Sequence, residues 1–348
     1  MANNKIKINN RRYIGSKTSL LENIEEAIEE YLPKKDFVLA DPFSGTGVVA
    51  NYFYDKGHKV IANDILYSNF VSYNTWMSDG KINEEKVENI LEKFNNINSE
   101  NLEENYFSEV FGDKYFENSD AKTIGFIREK IEEIKPEITN REYYTLLSSL
   151  LYETDKIANT CGHFESFLNK KPVKKGIYLK MPDISLKPND NEIYCKDAND
   201  LVRNIKADVF YIDPPYNARQ YVNFYHVLEN LALWQKPREL EGNSMKFKRN
   251  HLKSDYSKAK APEVFRDLIE NIDTKLIIVS YNNTYNAKSG ASNNKISEEE
   301  LLEILSNKGK VTKKEIKYKA FNAGKTQLSN HKEYLYICEV KNDNIRTL

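Results

Sequence analysis

The sequence has few of the residues that mark exported or metal-bound proteins. Its 348 residues include only three cysteines, Cys161, Cys195 and Cys338, which lie far apart. That number and spacing form neither a disulfide framework nor a zinc motif, so we expect a reducing compartment and no bound metal. No apolar run reaches the roughly 18 residues of a membrane-spanning helix, and the polar start lacks the apolar core of a signal peptide. These absences predict a cytoplasmic protein with no membrane partner.

An excess of either charge is also absent. There are 51 Lys and Arg against 52 Asp and Glu, which gives a formal net charge of -1. Proteins that coat nucleic acids nonspecifically usually carry a basic excess, so the balance argues mildly against that class. It leaves open a binder whose basic residues gather on one face. The hydrophobic share of 40% suffices for a sizeable core, and the length fits two domains or one α/β domain with an insertion.

Short apolar strand patterns stand on either side of a long helical stretch. The strand 37–40, a glycine-containing turn, a helix at 48–54 and the strand 59–62 have the order of a parallel βαβ unit. Charged helical patterns then dominate from 77 to 190. Strand patterns return at 192–195, 209–212, 276–279, 314–321 and 334–340. The order predicts an α/β sheet interrupted by a helical insertion.

A glycine turn, Asp-Pro-Phe-Ser-Gly-Thr-Gly at 41–47, follows the first predicted strand. Glycines allow a sharp turn and close approach to a ligand, and the next helix presents free N–H groups. The carboxylate of Asp41 would repel a phosphate, so it favours a ligand with an ammonium or sulfonium group. Asp64 ends the next strand roughly 20 residues later, where nucleotide-binding βαβ units hold ribose hydroxyls. An ordinary βα turn and a surface acid remain the alternatives.

A second motif, Asp-Pro-Pro-Tyr at 213–216, follows the strand 209–212. Consecutive prolines fix the backbone and remove competing N–H donors. One carboxylate, one carbonyl and one aromatic ring would therefore stand in a preset arrangement. Such a group can grip a planar amine, because the oxygens accept its hydrogens while the ring stacks on the base. A strand exit capped by prolines is the alternative.

Together these motifs resemble the Dam-like adenine-N6 DNA methyltransferases of restriction–modification systems. Further similar blocks are Arg11–Lys17, Lys196–Ala198 and Ser280–Asn283, and the block at 213–221 looks most like the type IIS modification enzymes. The cofactor motifs precede the catalytic motif, as in the family's alpha arrangement. The resemblance implies a Rossmann-like, mostly parallel sheet of seven strands, the last antiparallel. It assigns 1–76 to the cofactor-binding half, 77–190 to a helical insertion for target recognition and 191–348 to the catalytic half.

The resemblance also implies S-adenosylmethionine as cofactor and a role for each motif. Tyr13 and Lys17 would close over the cofactor, whose ribose would lie on Asp64 and whose adenine amine on Asp197. The full expected cofactor set is Tyr13, Lys17, Asp41, Pro42, Phe43, Ser44, Gly45, Thr46, Gly47, Asp64, Ile65, Asp197, Ala198 and Asp213. Asp213 and the Pro214 carbonyl would bind the target amine, and Tyr216 would stack on the flipped base. Direct in-line methyl transfer follows as the expected mechanism, since a leaving sulfonium needs no general acid.

Double-stranded DNA is the implied substrate, which requires basic residues near the catalytic motif. The expected contacts are Asn217, Arg219, Lys246, Lys248, Arg249 and Lys253, although such a stretch can equally be a solvated face. The enzyme is expected to act either with a cognate restriction endonuclease that acts separately or as an orphan methylase without one, and the bacterial nucleoid is the expected place of action.

Several other functions remain as alternatives. An RNA adenine methyltransferase or a catalytically inactive DNA-binding derivative would share much of this pattern. Enzymes that methylate glutamine usually carry Asn in place of Asp213, and cytosine-N4 enzymes more often carry Ser. A nucleotide oxidoreductase would need Gly-x-Gly-x-x-Gly, but position 50 is alanine.

Overall fold

The computed structural model describes residues 5–187, 189–284, 290, 293–316 and 332–341. The chain divides into two compact units, each built from three separate stretches. The sheet unit comprises Ser16–Ile65, Asn189–Tyr221 and Leu252–Leu348. The helical unit comprises Met1–Gly15, Leu66–Pro188 and Val222–His251. This division differs from the three consecutive segments expected at 1–76, 77–190 and 191–348, because Met1–Gly15, residues 66–76 and Val222–His251 join the insertion in the helical unit.

The described residues form both β-strands and α-helices. The strands are β1 (Val38–Asp41), β2 (Lys59–Asn63), β3 (Glu192–Tyr194), β4 (Val209–Ile212), β5 (Leu240–Glu241), β6 (Lys246–Phe247), β7 (Leu276–Asn282), β8 (Gly309–Ile316) and β9 (Glu333–Val340). The helices are α1 (Leu21–Tyr31), α2 (Val48–Asp55), α3 (Tyr67–Trp76), α4 (Glu84–Asn95), α5 (Tyr106–Phe111), α6 (Asn118–Glu133), α7 (Asn140–Ile157), α8 (Ala198–Val202), α9 (Tyr221–Leu233), α10 (Ala261–Asn271) and α11 (Glu298–Lys308).

The sheet unit contains one seven-stranded sheet in the order β3-β2-β1-β4-β7-β9-β8. Neighbouring strands are parallel except at β9, which runs antiparallel to both β7 and β8. The predicted fold class is confirmed, including the antiparallel last strand. The chain places β2 and β3 on one side of β1 and β4 on the other, so the strand order reverses between β1 and β4. Open parallel sheets bind ligands outside the carboxyl ends of their strands at such a point.

Continuous burial explains why the central strands carry unbroken apolar runs. All four residues of β4 are buried, as are Leu276–Val279 of β7. Parallel strands covered on both faces need apolar side chains at every position rather than at alternate ones. Helix α10 covers part of this core with Phe265, Leu268 and Ile269. The core thereby fixes the strand ends on which the polar motifs stand.

The helical unit contains the helices that the charged patterns predicted. Helices α4, α6 and α7 lie within the stretch 77–190, and α7 begins with a capping box between Thr139 and Glu142. The small sheet β5–β6 also belongs to this unit. Within the ranges that the structure describes, no helix has both the length and the apolar character needed to cross a membrane.

One strand boundary differs from expectation. The penultimate strand was predicted at 314–321, whereas β8 begins at Gly309 and its described part ends at Ile316. Residues 317–321 lie outside the described residues. The exposed lysines of this strand dilute its apolar pattern, which hid its true start from the sequence analysis.

Candidate active site

The glycine turn joins the end of β1 to the start of α2. Gly45 and Gly47 have φ angles of 53° and 85°, in the left-handed region that side chains rarely permit. The Ser44 N–H donates to the Asn63 carbonyl at 2.9 Å, and the Gly47 N–H donates to the Ser44 carbonyl at 2.7 Å. These bonds attach the turn to the end of β2. The turn is therefore a fixed concave backbone at the carboxyl edge of the sheet.

Asn63 and Asp64 connect this turn to the neighbouring strands. The Asn63 amide donates to the carbonyls of Pro42 and Lys196 at 3.0 Å each and accepts from the Lys196 N–H at 2.9 Å. Asp64 accepts a hydrogen bond from the Gly45 N–H at 3.2 Å. The predicted ribose-binding acid thus lies against the glycine turn. Asn63, to which the sequence analysis gave no role, connects the ends of three strands.

The remaining predicted cofactor residues surround this edge in different ways. Asp197 is exposed and caps α8, where it accepts from the Asn199 and Asp200 N–H groups at 2.9 and 3.3 Å. Phe43 contacts the ring of Tyr256 edge-on, with centroids 5.1 Å apart. Thr46 and Ala198 are buried, and Ile65 is half-buried. Tyr256 was missed because it lies in no motif, although it shapes the surroundings of Phe43.

The catalytic motif follows β4 and meets the N-terminal motif of the same unit. The Tyr216 hydroxyl donates to Asp213 and accepts from the Lys17 ammonium at 2.7 Å. Lys17 Nζ also lies 3.2 Å from Asp213 Oδ1 and 4.0 Å from Glu333 Oε1. Pro214 is buried. Lys17, which was predicted to hold the cofactor, therefore contacts the catalytic carboxylate directly.

Two further residues complete the surroundings of Tyr216. The ring of Tyr281 meets the Tyr216 ring at an interplanar angle of 66°, with centroids 4.7 Å apart. The Lys295 N–H donates to the Tyr216 carbonyl at 2.8 Å. Tyr281 belongs to the block 280–283 that carried part of the resemblance, so that block was the available signal. Glu333 belongs to no motif, and its position at the start of β9 is the feature that relates it to this site.

Tyr13 lies in the helical unit, where its ring stacks on Tyr225. The ring centroids are 4.7 Å apart with an interplanar angle of 9°, and the Ile14 N–H donates to the Tyr225 hydroxyl at 2.8 Å. Both contacts restrict the segment that carries Tyr13. Its contact with the cofactor stays a prediction.

The expected DNA contacts differ in exposure. Arg219 is exposed, and its N–H donates to the Asn217 side chain at 3.1 Å. Lys248 is exposed and forms an ion pair with Glu239, while Lys246 and Lys253 are half-buried. Arg249 is buried.

The contacts of Arg249 lie inside the helical unit. Its guanidinium donates to the Asn223 side chain at 2.7 Å and to Glu241 at 2.9 Å. Because both carbonyl and carboxylate partners belong to the fold, this arginine stabilises the β5–β6 region. Phosphate contact is then better assigned to the three lysines than to Arg249.

Comparison with known proteins agrees with this geometry. A family model described as D12 class N6 adenine-specific DNA methyltransferase matches residues 13–284. The chain belongs to this family. The match includes the glycine turn, Asp64, Asp197 and the motif at 213–216, and it confirms the predicted resemblance.

Three relatives align with most of this chain. Modification methylase StsI from Streptococcus sanguinis is 36% identical over 340 residues, which are 92% of this chain and 50% of that protein. Type II methyltransferase M.NlaIII from Neisseria lactamica is 33% identical over 344 residues, 94% of this chain and 98% of that protein. Type II methyltransferase M.FokI from Planomicrobium okeanokoites is 33% identical over 316 residues, 86% and 47% respectively. The chain thus spans about half of two of these relatives and nearly all of the third.

The surroundings of Asp41, at the start of the glycine turn, strongly shift its pKa. Its side chain is 2% exposed, and its Oδ1 has no hydrogen-bond partner among the described residues. Burial raises the pKa of Asp41 well above its ordinary value of 3.8, and the nearby charge of Asp213 raises it further. A buried carboxylate oxygen beside a concave glycine turn fits a ligand that carries an ammonium group.

We expect Asp41→Asn to change how stability depends on pH. A carboxyl group with a raised folded-state pKa stabilises the fold below its unfolded pKa, and this contribution is lost as pH rises through the folded value. An asparagine side chain does not ionise, so the Asp41→Asn variant does not lose this stability as pH rises. The unfolding free energy of Asp41→Asn should therefore rise relative to the natural protein as pH increases from about 4 towards neutrality. Urea titrations across this range measure the difference.

Asp208→Asn provides a control of opposite sign. Although burial alone would raise it, the pKa of Asp208 is lowered by the Val38 N–H and Lys34. A lowered pKa contributes stability that is present above the unfolded value and is lost as pH falls through the folded value, so this variant should be less stable than the natural protein by a nearly constant amount above about pH 5 and by less below about pH 4. If the unfolding free energies of Asp41→Asn and the natural protein depended equally on pH, the raised pKa of the buried Asp41 would be contradicted.

Proposed function

We propose that this chain transfers a methyl group from S-adenosylmethionine to the exocyclic amine of adenine in double-stranded DNA. One observation carries the proposal. The motif at 213–216 follows β4, the glycine turn follows the adjacent parallel strand β1, and Lys17 bonds to Asp213 and Tyr216 within the same unit. The names of the relatives, modification methylases and type II methyltransferases, support a role in restriction–modification. A cognate endonuclease acting separately, and action on the bacterial nucleoid, belong to the same proposal.

The residues at the edge of the sheet fit S-adenosylmethionine. When bound, this cofactor supplies a methyl group on a positively charged sulfur, so a nitrogen can take the methyl without a general acid. The Asp41 Oδ1, which has no hydrogen-bond partner within the described part of the chain, suits the ammonium of its methionine part, and the left-handed turn at Gly45 and Gly47 allows close approach of the backbone. Asp64 is suited to the ribose, and Asp197 to the adenine amine.

Asp213 and Pro214 would activate the target amine. The lone pair of this nitrogen is delocalised into the adenine ring, which makes it a weak nucleophile. Two acceptors on its hydrogens favour a pyramidal nitrogen and stabilise the positive charge that develops. The methylated nitrogen then gives up one proton, and Asp213 is the nearest base. Burial raises the pKa of Asp213, while Lys17 and Tyr216 act in the opposite direction, so the carboxylate remains able to accept that proton.

Tyr216 would receive the base once it leaves the duplex. A base inside a duplex cannot reach such a site unless it rotates out of the stack, and an aromatic ring can replace its lost stacking partner. Contact with Tyr281 and the bond from the Lys295 N–H hold the Tyr216 ring in position before any base arrives. A preset ring lowers the entropy lost when the base binds.

The inactive derivative and the RNA enzyme gain no support. The buried carboxylate of Asp41 costs folding free energy unless it serves a ligand, so an inactive copy would be more stable without it. The matching family is described as an adenine-specific DNA methyltransferase.

Expression of the chain in a bacterial host that lacks DNA methylation tests the function. Modification-sensitive sequencing should find N6-methyladenine at one recognition sequence. Asp213→Ala should lower turnover by about a thousandfold or more, because the amine loses its charged acceptor. Asp36→Ala removes an exposed acid of the same unit and should leave turnover unchanged. A methyl group on another base or atom, or a tenth of the natural turnover in Asp213→Ala, would sink the proposal.

A salt titration tests the DNA contacts. If Lys246, Lys248 and Lys253 neutralise phosphates, changing all three to Ala should weaken binding to every DNA sequence. The log–log salt slope should fall by about 0.9 for each lost phosphate contact. Cofactor affinity should not change, and Lys310→Ala, which removes an exposed lysine of β8, should leave the slope unaltered. An unaltered slope in the triple variant would mean that these lysines do not contact DNA phosphates.

A further inference from the structure

Lys17 connects the catalytic motif to a carboxylate that lies outside every motif. Its Nζ lies 3.2 Å from Asp213 Oδ1 and 4.0 Å from Glu333 Oε1. The side chains are nearly enclosed, with exposed fractions of 6% for Lys17 and 8% for Glu333. Ion pairs in such surroundings are screened much less by salt and water than pairs on the surface.

The strand topology explains why Glu333 reaches this edge. Glu333 is the first residue of β9 and pairs with Asn282, the last residue of β7. Because β9 runs antiparallel to β7, its amino end lies at the edge of the sheet where the parallel strands have their carboxyl ends. An acid placed there by the sheet needs no nearby motif residue to bring it to the site.

The ammonium of Lys17 stands where a target amine would donate. A carboxylate oxygen offers about two lone pairs. On Asp213, Oδ1 already accepts from the Tyr216 hydroxyl and faces Lys17. An adenine amine that uses this oxygen must replace Lys17, and an ammonium that stays close would oppose the positive charge developing on the amine.

We propose that Glu333 is a positioning residue for methyl transfer: it draws Lys17 away from Asp213 when the adenine amine binds. This inference rests on the proposed function. One ammonium between two carboxylates leaves a net negative charge, which stabilises the positive charge that develops on the amine during transfer. Lys17 and Asp213 alone would form a neutral pair. Burial raises the pKa of Glu333 and so does the charge of Asp213, and Lys17 is the group that favours its ionised form.

A double-mutant cycle on the full chain tests the inference. Methyl transfer to DNA from the methylation-deficient host is measured for the natural protein, Glu333→Gln, Lys17→Met and the double variant. Glu333→Gln should lower kcat by about tenfold with little change in Tm or cofactor Kd, because it removes the second anion but keeps the shape. In the Lys17→Met background the same change should cost less than about twofold, since its effect passes through Lys17.

Two further variants separate charge from structure. Glu333→Asp keeps the carboxylate and should restore most of the kcat lost in Glu333→Gln, which also covers the case in which the amide variant folds poorly. Glu339→Gln removes a half-buried acid of the same strand, paired with Lys310, and should behave like the natural protein.

The outcomes distinguish this inference from the proposed function. If the natural protein does not methylate adenine, the proposed function is overturned and the role of Glu333 falls with it. If the natural protein methylates adenine but Glu333→Gln costs the same with and without Lys17, only the positioning role is overturned.

Discussion

Two carboxylates at the ends of adjacent strands are the constraint on which the site depends. Asp41 ends β1 and Asp213 follows β4, and besides burial the nearby charge of Asp213 raises the pKa of Asp41. Burying two acids together costs free energy unless cations or donors compensate. Lys17 and the Tyr216 hydroxyl provide this compensation at Asp213. At Asp41 the Ser44 side chain and the Phe43 N–H compensate only in part, and we propose that a bound cofactor supplies the rest, which would link its binding to the stability of the sheet edge.

The parts of this arrangement that are local in sequence could be predicted. The apolar runs of β1, β2 and β4 identify buried parallel strands, and the polar residues after them must then meet at one edge of the sheet. The turn at Gly45 and Gly47 follows from the same logic, because few other residues adopt its backbone angles. Seven strands with an antiparallel last strand followed from the resemblance rather than from periodicity.

Long-range contacts could not be predicted in this way. Lys17 and Tyr216 lie 199 positions apart, and nothing in the pattern around either residue requires the bond between them. Glu333 owes its place to the direction of β9, and Arg249 is buried by partners that a basic stretch does not reveal. Each of the two units also consists of three separate stretches of chain. Changes in composition along the sequence can indicate only consecutive segments.

The central claim is that the glycine turn holds S-adenosylmethionine, and calorimetry with Gly45→Val tests it most directly. Gly45 has a φ of 53° and donates its N–H to Asp64, so a valine would strain the turn and fill the space that a ligand needs. Gly57→Val imposes a similar strain at a φ of 95°, where no atom lies within 4 Å of the added Cβ. We predict that Gly45→Val weakens cofactor binding by about tenfold or more, while Gly57→Val leaves the Kd unchanged. An unchanged Kd in a folded Gly45→Val variant would contradict the account.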